Sequence, residues 1–398
     1  MGLKMTVSNS TDRELTISFE GKFDSLSAQE AQSFIVEKLE AAPGKSLVLN
    51  YKGLSLITSA GLRVLMDLRR KYTKDISVQN ASEAVSKVFE DTGLTQVFSL
   101  TKDMRTVSID NLKKIGQGAN GEVFRLSQDT IIKVFYPRIR LSEIEREQRI
   151  SRSVILADLP AVIPYDTVRV EDGRYGIVFE LLGEKTLSET IAEDPSAFEP
   201  LMKQYLQLLK DIHSTEGDPS VFPLTKDIYQ GFLDECVDWY TPEELQALRD
   251  LIDSVPDRGV MLHGDYHPNN LMVLRDELIM IDLGDFSIGH PVFDFLTTAA
   301  TQVNLVEMNP DYAEIHTRMP REYIRKGWRY LFDGYFADRT GADRSRIESQ
   351  IRLMSKLKAS FCPAIAKGVP DEVMQASVND AKQNLIPRIP ELIGAIDW

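Results

Sequence analysis

The chain has 398 residues, a formal net charge of −14 at pH 7 and 43% hydrophobic residues, a length that predicts two or three domains. No uncharged apolar run approaches the roughly 18 residues of a membrane span. The two cysteines, Cys236 and Cys362, are far apart in the sequence and form no CxxC pair. We therefore expect a cytoplasmic protein without a membrane segment, a disulfide scaffold or a cysteine zinc site.

The excess negative charge belongs to the longer, C-terminal part of the chain. Residues 1–105 hold 14 basic and 13 acidic residues, whereas residues 106–398 carry a net charge of −15. This asymmetry, together with the polar stretch 101–110, predicts a domain boundary near residue 105. An acidic surface repels nucleic acid and acidic lipids, so we expect neutral or cationic partners. Solubility alone would also account for the charge.

Strands alternate with helices in the first hundred residues, which predicts an α/β domain whose sheet is covered by helices. Ser27 followed by Glu30 has the pattern of a capping box at the start of the first helix. The predicted strands are residues 15–19, 46–51 and 76–78, and the predicted helices begin near residues 27, 59 and 82.

The segment LSLITSAGLRVL, residues 54–65, resembles the STAS family, the sulphate-transporter and anti-sigma-factor-antagonist domain. The resemblance covers about the first hundred residues. It implies that Ser59 is a phosphorylation site through which a partner protein is controlled, because a phosphoserine adds nearly two negative charges beside a helix N-terminus. Thr58 departs from the aspartate of many members. The alternative is that Ser59 caps its helix.

A glycine-rich loop follows the boundary, with Gly116, Gly118 and Gly121 in the pattern G-x-G-x-x-G-x-V. In a dinucleotide fingerprint these glycines would open a helix, whereas a kinase glycine loop lies between strands. Strand patterns at residues 123–126 and 130–135 favour the kinase interpretation. Such glycines allow backbone amides to approach phosphate oxygens.

Further charged residues follow in the order that phosphotransfer requires. Lys133 lies in a β-branched strand and is expected to reach nucleotide phosphates. The next helix supplies carboxylates, of which Glu147 is the expected ion-pair partner and Glu143 the alternative. A solvated strand edge and a solvated helix face would be the structural interpretations of these charges.

The segment HGDYHPNN, residues 263–270, lies between strand patterns and has the spacing of a catalytic loop. In such a loop Asp265 would orient the attacking hydroxyl and accept its proton, while the carbonyl of Asn270 would bind magnesium. Asp282 ends the following strand, and a carboxylate there suits Mg²⁺. For any one of these residues alone, a surface or capping role would be the simpler interpretation.

These motifs resemble the aminoglycoside phosphotransferase and choline kinase-like superfamily over about residues 110–398. The resemblance implies a two-lobed, protein-kinase-like fold that binds ATP and Mg²⁺ in its cleft. It implies that the hinge, residues 178–185 with Glu180, reads adenine through its backbone, and that Asp294 has an architectural role. Carried over by position, the three glycines, Lys133 and Glu147 bind the nucleotide, Asp265 is the base, and Asn270 and Asp282 are the metal ligands.

Two departures from protein kinases favour a small-molecule acceptor. Gly264 replaces the arginine that precedes the catalytic aspartate in many of them, and no long activation segment follows Asp282. The last 90 residues are predicted to be helical; in relatives this region builds the substrate pocket, although its apolar stripes are typical of core. His267 is expected to touch the substrate or to hold the loop by a hydrogen bond, and His263 to be structural.

The sequence therefore predicts an α/β STAS domain followed by a two-lobed α+β kinase-like fold with a helical C-terminal subdomain. The predicted domains are residues 1–105, 106–183 for the N-lobe and 184–398 for the C-lobe. The predicted function is ATP-dependent phosphoryl transfer to a small-molecule hydroxyl. Two alternatives stay open: the kinase domain phosphorylates Ser59, or it is a nucleotide-gated scaffold for a partner.

Overall fold

The computed structural model describes residues 2–11, 14–72, 76–183, 185–308, 318–365 and 370–398. Two units make up the chain, Met1–Thr106 and Val107–Trp398. Among the described residues, no helix combines the length and the apolar composition needed to cross a bilayer.

The first unit is built on a five-stranded sheet. Its strands are β1 (Lys4–Ser10), β2 (Glu14–Phe23), β3 (Ser46–Ile57), β4 (Ile76–Ala81) and β5 (Ser99–Lys102), and its helices are α1 (Ala28–Glu40), α2 (Ser59–Lys71) and α3 (Glu83–Asp91). The strands lie in chain order, with β1 antiparallel to β2 and the remaining neighbours parallel. Parallel neighbours need crossover connections, which the three helices supply.

The core of this unit follows from strand register. Ile17 on β2 pairs with Leu49 on β3, and Leu49 pairs in turn with Val78 on β4. All three side chains are fully buried, so the apolar positions of three strands form one continuous layer under the helices. The predicted α/β domain is confirmed.

The predicted capping box at Ser27 is wrong. Ser27 stands at the N-cap of α1 in the αR region and its side chain does not cap the helix. Its hydroxyl accepts from the Asp24 N–H (3.0 Å) and donates to the Lys22 carbonyl (3.1 Å). An N-cap hydroxyl reaches the helix amides when its residue has β-region backbone angles. Here the Ser27 hydroxyl bonds the turn before the helix instead.

The second unit begins with a six-stranded sheet in the order β6-β10-β11-β9-β8-β7. Its strands are β6 (Thr106–Val107), β7 (Lys114–Gln117), β8 (Gly121–Arg125), β9 (Thr130–Phe135), β10 (Pro164–Val170) and β11 (Tyr175–Glu180). Helix α4 (Leu141–Leu156) connects β9 to β10 and packs against β10 and β11. The glycine-rich loop therefore lies in the β7–β8 hairpin.

The remainder of the unit is mainly helical. Its helices are α5 (Leu187–Glu193), α6 (Phe198–Ser214), α7 (Thr225–Asp234), α8 (Pro242–Asp253), α9 (Val292–Ala299), α10 (Leu305–Met308), α11 (Arg321–Tyr335), α12 (Gly341–Met354), α13 (Leu357–Ser360), α14 (Cys362–Ile365), α15 (Asp371–Asn384) and α16 (Ile389–Leu392). Two antiparallel ribbons pair β12 (Val260–Leu262) with β15 (Ser287–Gly289) and β13 (Leu271–Leu274) with β14 (Glu277–Met280). These ribbons bracket residues 263–270.

The apolar stripe predicted on α11 is part of this core. Ile324, Trp328 and Leu331 are at most 4% exposed and pack in one large cluster with residues of α6 and α9. The buried stripe fixes α11 against α6, which leaves the residues at its edge free to line a cavity.

Candidate active site

The loop after β12 brings Asp265 and Asn270 together. The Asn270 side-chain amide donates to the Asp265 backbone carbonyl (3.0 Å) and to Asp265 Oδ2 (3.1 Å). The Nε2 atom of His267 lies 3.3 Å from the same carboxylate oxygen. Burial alone would raise the pKa of Asp265, but His267 outweighs it and holds the pKa well below its usual range. Asp265 is therefore a carboxylate at neutral pH.

The carboxylate of Asp294 on α9 holds the start of the loop of residues 263–270. Asp294 is buried and accepts from the backbone N–H groups of His263 (2.9 Å) and Gly264 (2.7 Å), and from His213 Nε2 (3.0 Å). His263 Nδ1 accepts from the Asp265 N–H (3.3 Å). Because charge-assisted hydrogen bonds to backbone amides are strong, this arrangement fixes the path of the chain into Asp265.

A pair of buried tyrosines holds the loop from the side. The rings of Tyr205 and Tyr266 stack with centroids 4.5 Å apart. Tyr266 donates its hydroxyl to the Tyr205 carbonyl (2.6 Å), and Tyr205 donates to the Tyr266 carbonyl (3.3 Å). Tyr266 lies between Asp265 and His267 in the chain, so this reciprocal pair also sets the position of both side chains.

A charged cluster of Lys133, Glu147 and Asp282 joins three separate elements. Lys133 Nζ on β9 donates to Glu147 Oε1 on α4 (2.8 Å) and to Asp282 Oδ1 after β14 (2.7 Å). The expected partner Glu147 is in contact, whereas Glu143 bonds Arg140 at the start of its own helix. The side chains of Lys133 and Glu147 are 15% and 12% exposed, and that of Asp282 is 54% exposed.

The cluster distributes its charge unevenly. Lys133 holds the pKa of Asp282 below its usual range, while burial raises the pKa of Glu147 despite the nearby ammonium. Burial also opposes the charge of Lys133, but Asp282 and Glu147 outweigh it and raise the lysine pKa. The ammonium thus stays charged, and Asp282 is the member of the cluster that is most open to solvent.

Asp285 is a site residue that sequence reasoning missed. Loss of hydration, followed by the carboxylates of Asp265 and Asp282, raises its pKa to about 6. Its spacing three residues after Asp282 was the available signal. A side chain at position 264 would have its Cβ only 2.4 Å from the Asp285 carbonyl oxygen, and Gly264 has φ +81°. This contact explains why glycine and not arginine precedes Asp265 here.

The three glycines of the β7–β8 hairpin have different surroundings. At Gly121 a Cβ would lie 2.3 Å from the Val134 carbonyl oxygen, so packing against β9 requires glycine. At Gly116 a Cβ would make an ordinary contact with Val123, and at Gly118 it would meet no atom within 4 Å. Packing therefore does not require glycine at position 118. A glycine there would instead allow a ligand to approach the backbone closely.

The predicted hinge follows β11. The side chain of Glu180 accepts from the Ile163 N–H (2.8 Å), so this carboxylate is bonded to the edge of β10. The Leu181 N–H donates to the Asp129 carbonyl (2.8 Å). Glu184, within the predicted hinge, lies outside the described residues.

In the first unit, Ser59 is the first residue of α2 and its side chain is exposed. The N-cap position is occupied by Thr58, which makes no side-chain capping bond. The alternative that Ser59 caps its helix is therefore wrong. An exposed hydroxyl at the first turn of a helix is sterically open to modification, and a phosphate there would be stabilised by the helix N-terminus.

Hard oxygen ligands for a divalent cation are present beside the cluster. The Asn270 amide nitrogen faces Asp265, which leaves its carbonyl oxygen on the opposite side, and Asp282 has an open carboxylate. Among the described residues, no group of three His, Cys, Asp or Glu side chains could hold a metal by itself. Mg²⁺ commonly takes one or two protein ligands together with phosphate oxygens and water, so the residues present fit it.

A cavity of about 110 Å³ adjoins the loop on the side of α5, α6 and α11. Asp265, His267 and Pro268 form one wall of this cavity. The site thus has a charged cluster on one side of Asp265 and a partly open cavity on the other.

Comparison with known proteins matches both units to families. Residues 111–328 match the model described as phosphotransferase enzyme family, and residues 5–107 match the STAS domain. None of the curated proteins matches this chain.

Solved structures show similar chains. An ADP-bound aminoglycoside phosphotransferase APH(2'')-Ib is 17% identical, with 76% of this chain and 98% of that chain covered and a TM-score of 0.47. The APH(2'')-IIa of a gentamicin complex is 18% identical, with 78% and 98% covered and a TM-score of 0.47. A choline/ethanolamine kinase family protein from Mesorhizobium loti is 14% identical, with 72% and 90% covered and a TM-score of 0.44.

Proposed function

Because the chain belongs to the phosphotransferase enzyme family and carries an N-terminal STAS domain, we propose that its second unit transfers the γ-phosphoryl group of ATP to a hydroxyl of a small molecule. The observation that carries this proposal is the meeting of Lys133, Glu147 and Asp282 within hydrogen-bonding distance. Lys133 and Asp282 are 149 positions apart in the sequence, and such a contact between them has a direct use in holding a nucleotide.

The nucleotide side of the site works by positioning and by charge. The backbone amides of the β7–β8 hairpin, with Gly118 open to a ligand, would surround the phosphates, and Lys133 would offer them its ammonium. Glu147 keeps that ammonium in place and charged. Asn270 and Asp282 would hold Mg²⁺, which when bound supplies neutralisation of phosphate charge.

The acceptor side depends on Asp265. Its carboxylate would accept a hydrogen bond from the acceptor hydroxyl and align it with the γ-phosphorus. As the new oxygen–phosphorus bond forms and the bond to the β-phosphate oxygen breaks, the hydroxyl proton passes to Asp265 and ADP leaves. The low pKa of Asp265 makes it a weak base, so alignment contributes more than early proton removal, as suits a loose transition state.

The test is an Asp265→Asn variant, which keeps the size of the side chain but removes its charge. We expect ATP turnover, measured with a panel of amino alcohols, sugars and aminoglycosides, to fall about 10²–10⁴-fold. Binding of Mg·ATP, measured by calorimetry, should be retained because Asp265 does not belong to the charged cluster.

The matched control is Asp276→Asn, the same change in the β13–β14 turn. Asp276 has φ +67°, a conformation that asparagine tolerates well. This control should turn over like the unmodified protein. Unchanged ATP consumption in Asp265→Asn would contradict the proposed function.

A further inference from the structure

The cavity beside Asp265 has mainly apolar walls. Met202 on α6, Met319 and Ile324 are each at most 4% exposed and line it together with the ring of Tyr323. Gly327 on α11 forms part of the floor, where its missing side chain leaves space. A polar molecule would gain little from these walls, whereas apolar surface placed against them is removed from water.

The charges of the described lining are already paired. Asp265 is its carboxylate and His267 its basic side chain within the described part of the chain, and the two contact each other at 3.3 Å. The carboxylate next along α5, Glu189, bonds Arg318 and the Thr186 N–H. A polycationic acceptor would need unpaired carboxylates to replace its hydration, and a single buried cation would meet apolar walls.

One uncharged polar group in the wall lacks a partner. Ser188 on α5 is fully buried and lines the cavity, and its hydroxyl oxygen makes no hydrogen bond to the described residues. Two neighbouring polar groups of the wall are engaged: Thr301 donates to the Thr297 carbonyl, and the Gln302 amide donates to the Tyr205 hydroxyl. Because an unpaired buried hydroxyl is costly, Ser188 is suited to bond a ligand that enters.

From these walls we infer that the phosphoryl acceptor is an uncharged alcohol with a small apolar body, and that Ser188 recognises a second polar group on it. The inference rests on the proposed phosphotransferase function. A closed cavity of about 150 Å³ holds a benzene ring; this cavity, of about 110 Å³ and partly open, has room for the greater part of one ring. Its hydroxyl reaches Asp265 while its body lies between α6 and α11.

The experiment uses the full-length protein with Mg·ATP and three acceptors built on one six-membered ring. Cyclohexylmethanol is uncharged, its piperidine analogue carries a protonated ring nitrogen, and cyclohexanedimethanol adds a second hydroxyl. Phosphate esters are measured by mass spectrometry, and ADP by a coupled assay. We expect kcat/KM for cyclohexylmethanol to exceed that of the piperidine analogue by at least about tenfold, since the charge would be buried without a partner.

Two variants test the walls directly. Gly327→Ala places a methyl group 3.7 Å from Met202 Cε, an ordinary contact that the fold accommodates. Gly327→Leu would fill the cavity and should lower kcat/KM for cyclohexylmethanol about tenfold or more. Gly231→Leu on α7, where a Cβ meets no atom within 4 Å, is the matched control and should leave kcat/KM unchanged.

Ser188→Ala tests the polar contact. This variant should raise the KM for cyclohexanedimethanol about fivefold and leave the KM for cyclohexylmethanol unchanged. An equal effect on both alcohols would overturn the role of Ser188.

The possible outcomes distinguish a failure of the inferred acceptor class from a failure of the proposed phosphotransferase function. Transfer to choline or kanamycin but not to the uncharged alcohols would overturn the acceptor class and leave the phosphotransferase function standing. Asp265-dependent ATP hydrolysis without transfer to the uncharged alcohols would likewise overturn the acceptor class and leave the phosphotransferase function standing. Absence of both transfer and Asp265-dependent hydrolysis would overturn the inference and the proposed function together.

Discussion

The two sides of Asp265 handle charge in opposite ways. On one side, Lys133 is shared between two carboxylates at 2.7 and 2.8 Å. On the other, methionine, isoleucine and tyrosine side chains line a cavity together with Ser188, whose hydroxyl makes no hydrogen bond to the described residues. A polyphosphate needs fixed charges, whereas an apolar surface can select an acceptor only by shape and hydrogen bonding. One carboxylate at the boundary can therefore serve two substrates of different chemistry.

The largest effect on stability and turnover is expected from Lys133→Met, which removes the positive charge of the Lys133, Glu147 and Asp282 cluster. Removing the ammonium leaves Glu147 buried and unpaired, which should lower the free energy of unfolding by about 3 kcal/mol. Turnover should fall about 10²-fold or more, because the phosphates lose a fixed charge. Urea unfolding and ATP consumption measure the two effects.

A second change separates stability from function at the same place. Adding Glu147→Gln to Lys133→Met removes the unpaired charge, so stability should recover in part while turnover stays low. Lys203→Met, at an exposed position on α6, is the control. Full turnover in the double variant would show that the charged cluster is only structural.

A smaller loss of stability and turnover is expected from Asp294→Asn, which disturbs the loop of Asp265 between the charged cluster and the apolar cavity. The amide can accept at only one oxygen, so one of the two backbone N–H groups of His263 and Gly264 loses its carboxylate partner. We expect a loss of about 2 kcal/mol in unfolding free energy, together with a lower kcat for every acceptor. Equal kcat in variant and parent would mean that the loop holds its geometry without Asp294.

The pH dependence of Asp294 has a definite sign. Burial acts to raise its pKa, but His213 and the backbone of His263 outweigh burial and lower it. Its stabilising contribution is therefore present above the ordinary pKa of an unfolded aspartate and is lost as pH falls through the lower folded value. The difference in stability between parent and Asp294→Asn should shrink in acid.

The smallest effect is expected at Asp285, whose pKa is raised to about 6. An unfolded aspartate titrates near about 4, so the folded protein binds more protons over this interval and stability falls as pH rises from 4 to 6. Asp285→Asn should remove this loss. Part of the residue remains in contact with solvent, so screening limits the gain to below about 1 kcal/mol at pH 8.

The measurement is urea unfolding of Asp285→Asn and parent in EDTA at pH 8 and pH 5. The gain should be larger at pH 8. A gain that does not change with pH would show that Asp285 does not titrate in this range.

Local sequence patterns were enough to predict both families and part of the candidate site. The resemblances to the STAS family and to the phosphotransferases are confirmed by family matches over residues 5–107 and 111–328. Asp265 and Asn270 are five residues apart, and their side-chain contact follows from that short loop. Glu147, expected to pair with Lys133, does so at 2.8 Å, whereas Glu143 one turn earlier bonds Arg140.

Other features depend on contacts that local sequence patterns do not show. Ser188 is an ordinary helix serine in the sequence, and it lines the acceptor cavity only because α5 packs against the turn that contains Asn270. The capping-box pattern at Ser27 is a good local signal, but a preceding turn competes for the same hydroxyl. Neither outcome depends on residue type alone.

By itself, the sequence determined which chemical groups are present and their order: a glycine hairpin, a strand lysine, a helix carboxylate, a loop with Asp265 and Asn270, and a second aspartate. Order and spacing along the chain are enough for this, because each motif is built from local backbone geometry. Only the tertiary structure decided which charges meet and which stay apart. Lys133 reaches Asp282 across 149 residues, and Ser188 lines the same cavity as Asp265 without a hydrogen bond to the described residues. Packing of distant elements decides both.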